Sequence, residues 1–128
     1  MTGAKILRGW AIGEDMTEDE LLAGITEALT FGGWRWTHIL RSDGVTMGSP
    51  GLPDIIAAHP DRPWALAWEL KTQRGVVSPD QLGWLLAFRG SSGVDARIIR
   101  TADYDRALAV ILKGWAPPAV WPIQADPA

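Results

Sequence analysis

The sequence predicts an α/β domain with an αβββαβ core, a four-stranded mixed sheet flanked by helices, and one further helix at the C-terminal end. Three observations predict it. Residues 64–71 alternate strictly: Trp64, Leu66, Trp68 and Leu70 fall on one face of an extended strand, and Ala65, Ala67, Glu69 and Lys71 fall on the other. Two capping-box signatures, Thr17-Glu18-Asp19-Glu20 and Ser78-Pro79-Asp80-Gln81, each open an apolar run at helical spacing. The second of these runs separates two strand patterns, and a helix between two strands of one sheet implies a parallel pair with a right-handed crossover.

Residues 1–16 show no sustained periodicity and are read as a tail, with Met16 a candidate start because organised signal begins only after it. The domain is expected over 17–113. Its first helix carries Leu21, Leu22, Ile25, Ala28 and Leu29 and stops at Gly32-Gly33. A strand over 34–41 places Trp34, Trp36, His38 and Leu40 on one face, where His38 reads as a hydrogen-bonded structural histidine in preference to an active-site group. Arg35 and Arg41 take the opposite face, with phosphate contact or plain solvation as their roles. Residues 42–51 form a Gly-containing loop, and its Ser49 is a candidate substrate contact. Residues 53–58 and 64–71 pair as a hairpin across the turn 59–63. The next helix turns Leu82, Leu85, Leu86 and Phe88 inward, and a fourth strand spans 94–100. A last amphipathic helix over 102–113 contains Tyr104, Leu108, Ile111 and Leu112, and residues 114–128 read as a Pro-rich tail pinned by Trp115 or Trp121.

Composition narrows the chemistry. With 128 residues the chain is sized for one core. The lack of cysteine excludes disulfides, thiolate metal sites and cysteine nucleophiles, and two histidines argue against a His-rich zinc site. No apolar run approaches a membrane span and no signal-peptide pattern is present, so the expectation is a soluble intracellular protein. The net charge of −3 is uneven: residues 1–29 hold two basic against six acidic groups, whereas 30–100 hold eight against six. That mild basic excess is no basic stripe, and tight nonspecific DNA binding is not expected. The eight tryptophans read first as core and interface anchors and only second as base-stacking platforms.

Within this frame Asp54, Glu69 and Lys71 stand out. Asp54 begins the second strand, and Glu69 and Lys71 share a face of the third, so a hairpin brings the three together. Two carboxylates suit a hard divalent cation such as Mg2+, which polarises a phosphate and lowers the pKa of bound water, while a lysine counters charge developing in the transition state. The bland alternative is an exposed Glu-Lys pair on an edge strand, contributing about 0–1 kcal/mol.

The element order, with Gly51-Leu52-Pro53-Asp54, Glu69-Leu70-Lys71 and Ser78-Pro79-Asp80-Gln81, resembles the VRR-NUC family of the PD-(D/E)xK nuclease superfamily, in its small stand-alone phage and bacterial form. The resemblance covers roughly residues 17–113 and implies a restriction-endonuclease-like fold. It implies that Asp54 and Glu69 ligate Mg2+, for which Mn2+ can substitute, with the Leu70 carbonyl and the first-helix acid Glu20 assisting. Lys71 is then the catalytic lysine, and Gln81 joins the catalytic set. Both Glu20 and Gln81 also have complete explanations as capping-box residues. The activity implied is a cytoplasmic DNA endonuclease, in a bacterial or phage-infected cell, acting on branched DNA such as Holliday junctions. A nicking or restriction-like nuclease without junction preference, and a non-cleaving DNA-binding module of the same fold, are the alternatives. A homodimer is expected, because a junction offers two symmetric strands and Trp34, Trp36, Trp84 and Trp115 supply apolar surface for association.

Overall fold

A computed structural model describes residues 16–39 and 48–118. Its elements are α1 (Glu18–Phe31), β1 (Arg35–His38), β2 (Ile55–Ala58), β3 (Ala65–Lys71), α2 (Pro79–Arg89), β4 (Val94–Arg100), a short 3-10 turn (Thr101–Asp103) and α3 (Tyr104–Lys113). Both capping boxes form. Thr17 Oγ1 accepts from the Glu20 N–H while Glu20 Oε1 accepts from the Thr17 N–H, and Ser78 and Gln81 repeat the arrangement on α2. The strands make a four-stranded sheet in the order β1-β2-β3-β4. β1–β2 and β2–β3 are antiparallel, and β3–β4 is parallel across the α2 crossover.

The alternation in β3 is what layers the molecule. Leu66, Trp68 and Leu70 join Ile55, Ala57 and Ile99 under α1 and α3, whose Leu21, Ile25, Leu29, Tyr104, Ala107 and Ile111 complete that core. On the other face Ala67 stands beside Ala96, and these small side chains let α2 bring Leu85 down onto Ile98 and Val77. The result is helix pair, sheet, helix. Tyr104 is packed so close to α1 that a Cβ on Gly24 would strike its hydroxyl, and burial raises the pKa of that hydroxyl, with the Glu27 and Asp105 carboxylates adding to the effect.

Several boundaries differ from the sequence expectation. Met16, assigned to the tail, is buried in the core immediately before the N-cap Thr17. Trp34 precedes β1 instead of opening it; it is buried, with its Nε1–H donating to the Ile111 carbonyl at 3.0 Å. It is therefore absorbed by the core and adds nothing to a surface patch. Trp36 is 38% exposed, since β1 is an edge strand, and its indole N–H bonds to Thr30 Oγ1. Leu86 and Leu112 point outward, because each lies one residue, about 100° of helical turn, beyond the buried positions Leu85 and Ile111. β2 begins at Ile55 because Pro53 has no N–H to donate to a ladder. Trp115 is exposed, with the Lys113 ammonium 5.6 Å from its ring, while Leu40, Arg41 and Trp121 lie outside the described residues. Among the described residues no helix is long and apolar enough to cross a membrane.

Candidate metal centre

Asp54 and Leu70 meet where the β2–β3 ladder runs out. Continuing the register by two residues beyond Ile55 and Trp68 sets Leu70 opposite Pro53, which has no N–H to give the ladder, and the Leu70 N–H donates to a side chain, Asp54 Oδ2, at 2.9 Å. The carboxylate thus finishes the ladder and is held at the strand end. β1 continues along the same edge, its Ile39 N–H donating to the Asp54 carbonyl at 2.8 Å.

Glu69 is 1% exposed on the α2 face of β3. A buried carboxylate requires compensation, and Gln81 supplies it: Nε2 donates to Glu69 Oε2 at 2.8 Å while Oε1 of the same side chain caps α2. Lys71 Nζ lies 3.8 Å from that Oε2. The loop after Lys71 is fastened by Arg100, whose Nη1 donates to the Thr72 and Gly75 carbonyls at 2.8 Å each. Gln73 adds to this by accepting from Thr101 Oγ1 and the Ala102 N–H. Gly75 in turn presses on the Lys71 stem, since a Cβ there would stand 3.1 Å from Lys71 Cδ.

Asp54, Glu69, Lys71 and Gln81 all line one cleft of about 310 Å³, closed on its other side by Glu18, His38 and Ile39. An adjoining hollow of about 130 Å³ brings Asp19 and Leu22 beside Asp54 and Leu70. The acids of α1 that reach these spaces are therefore Glu18 and Asp19, whereas the Glu20 carboxylate turns back to the Thr17 N–H. Arg35 is exposed and pairs with Ala58 at the far end of β1, roughly 10 Å along the strand from His38. Ser49 belongs to a neighbouring groove, its carbonyl accepting from Trp84 Nε1 at 3.1 Å. Arg41 lies outside the described residues.

Of the other cleft residues, Glu18 was passed over by sequence reasoning, and His38 was weighed for the site and read as structural. A usable signal existed for His38: antiparallel pairing of the first two strands sets it opposite Ile55, one residue from Asp54. None existed for Glu18, since a first-turn acid is already explained by the helix dipole.

As a donor set, the cleft offers the Asp54 and Glu69 carboxylates, held by different hydrogen bonds, with Lys71 alongside and Glu18 and His38 on the remaining wall. Among the described residues no group of three or more His, Asp or Glu side chains is arranged around one point. Mg2+ commonly takes one or two carboxylates and fills its remaining positions with water and substrate phosphate, so the pair Asp54 and Glu69 fits that ion. It does not fit zinc, which takes mainly nitrogen and sulfur ligands. No family model, no curated protein and no solved structure matches the chain.

Proposed function

We propose that this protein is a Mg2+-dependent endodeoxyribonuclease that hydrolyses phosphodiester bonds in branched or otherwise structured DNA, four-way junctions included. The observation that carries the reading is the convergence of Asp54, Glu69, Lys71 and Gln81 on one cleft from β2, β3 and α2. An incidental Glu-Lys pair on an edge strand would be solvated, whereas Glu69 is buried on an inner strand and hydrogen-bonded by Gln81 of α2. When bound, Mg2+ or Mn2+ would polarise the scissile phosphate and lower the pKa of a water.

The chain's own residues do the rest. Asp54 is oriented by the Leu70 N–H, which fixes one of its carboxylate oxygens. Gln81 orients Glu69 in the same manner. Lys71, held between Glu69 and the fastened 72–75 loop, places an ammonium where a phosphate gathers negative charge. His38 adds an imidazole to the lining of the same cleft.

The preference for branched DNA is supported by the motif resemblance, and the modest charge of residues 30–100 argues against tight nonspecific binding. Purified protein incubated with labelled duplex, flap and four-way-junction DNA should cut the branched forms in Mg2+ and nothing in EDTA. Asp54→Asn and Glu69→Gln should each lower turnover by at least about 100-fold while the far-ultraviolet spectrum is kept. Near wild-type turnover in either variant would sink the assignment.

One cleft per chain faces two symmetry-related strands in a junction, and we infer a two-fold homodimer as the cutting species. Exposed Phe31, Trp36, Leu112 and Trp115 supply apolar surface for it. Light scattering at micromolar concentration should return a dimer mass with junction DNA. A monomer both with and without DNA contradicts paired cutting.

A further inference from the structure

We propose that the groove beside the cleft is a subsite for one unpaired nucleobase of the DNA, stacked on Trp84 and met at its amino edge by Asp80. It rests on the endonuclease reading and names the part of the substrate that reading leaves open. The groove holds about 330 Å³ between the Ser49-Pro50 segment and the first two turns of α2, within the range of small-ligand sites. Trp84 lines it as a fixed plate. Its Nε1–H is held by the Ser49 carbonyl at 3.1 Å, and Phe88 backs the indole at 5.5 Å between ring centres and 32° between planes. A ring immobilised in this way loses little freedom when a base stacks on it.

The floor next to it is bare. A Cβ on Gly83 would meet nothing within 4 Å, so the space over the helix there is open to a flat ligand. Charge selects what the ligand is. Asp80 is an exposed carboxylate on the groove wall, which repels a phosphate and accepts hydrogen bonds from the exocyclic amino groups of cytosine or adenine. A base inside a duplex has both its faces covered by stacking, so only an unpaired or flipped base offers a face to Trp84.

Position ties the groove to the chemistry. Asp80 is the chain neighbour of Gln81, which contacts Glu69, and Pro50 leads directly into the loop that ends at Asp54. The two walls of the groove are thus continuous with two walls of the cleft. A strand with its phosphate at Asp54 and Glu69 carries a neighbouring nucleotide past Trp84.

The test uses the Asp54→Asn protein in Mg2+ with four-way-junction and flap DNA bearing 2-aminopurine at single positions near the branch. Stacking against indole quenches this base. Quenching is expected at one position next to the cut bond, and Trp84→Leu in the same background should remove it. Gly83→Leu fills the groove from an open helix position, so it should abolish quenching and weaken DNA binding about 5- to 100-fold, the range one stacked base supplies, without lowering the thermal midpoint. DNA that binds with no position quenched, or quenching that survives Gly83→Leu, overturns the subsite and leaves the nuclease intact. Absence of both binding and cleavage by the wild-type protein removes the nuclease reading and the subsite with it.

Discussion

Gln81 serves two networks with one amide. Its carbonyl oxygen accepts from the Ser78 N–H and its NH2 donates to the buried Glu69, so the residue that starts α2 also holds a carboxylate of β3. Ser78→Ala removes only a cap and should cost about 1 kcal/mol. Gln81→Ala removes the cap and a hydrogen bond to a buried charged group, for a loss of about 2–4 kcal/mol in urea unfolding. Equal losses in the two variants would mean that the Glu69 contact contributes nothing. The cap was legible in the spacing Ser78-x-x-Gln81, because capping is local. The bond to Glu69 was not, since it depends on how α2 is set down on the sheet. The same distinction explains Glu18, whose place in the cleft depends on packing between α1 and the end of β2.

At the scale of elements, the loop 49–54 and the start of α2 are locked together. Gly51 has φ +97°, and a Cβ there would lie 2.5 Å from the Asp80 carbonyl carbon, a backbone atom that cannot step aside. Gly51→Ala should cost at least about 1–3 kcal/mol from the backbone conformation alone, with the collision adding to it, and should pull Gln81 away from Glu69. Gly83→Ala is the contrasting case, at an open position inside a helix, and should stabilise by up to about 1 kcal/mol. Thermal melts of the two variants check both signs; a Gly51→Ala protein as stable as wild type would show that the loop and helix are independent. The alternation of β3 and the parallel β3–β4 pair were readable because period and crossover are geometric rules. The limits of β1 were not, because an edge strand carries less burial to mark it: all but His38 of its residues are exposed.

For the whole molecule, the α1–α3 contact is where pH should act. Tyr104 is the sole tyrosine, nearly fully buried, and its hydroxyl titrates above the ordinary value of 10.0, mainly through desolvation. The native state therefore keeps a proton that the unfolded chain gives up. The stabilisation is complete below pH 10 and is lost as pH rises from there through the higher native pKa. Absorbance of tyrosinate and loss of helical circular dichroism should rise together in an alkaline titration; ionisation at the ordinary pH with the fold intact would refute the packing of Tyr104. The layered α/β architecture was legible at this scale, as the two capped helices and the alternating strand demand a sheet covered on both faces.

β3 is flanked by β2 and β4 and covered by helices on both sides, and Glu69, Leu70 and Lys71 are its last three residues. The most protected strand among the described residues is thus the one that carries three residues of the proposed site. Amide protons in such a strand exchange with solvent only when the entire fold opens, while edges such as β1 breathe far more often. The consequence is temporal: the β3 side of the cleft has the lifetime of the native state itself, while the His38–Ile39 wall, at the end of the edge strand, opens and closes far more often.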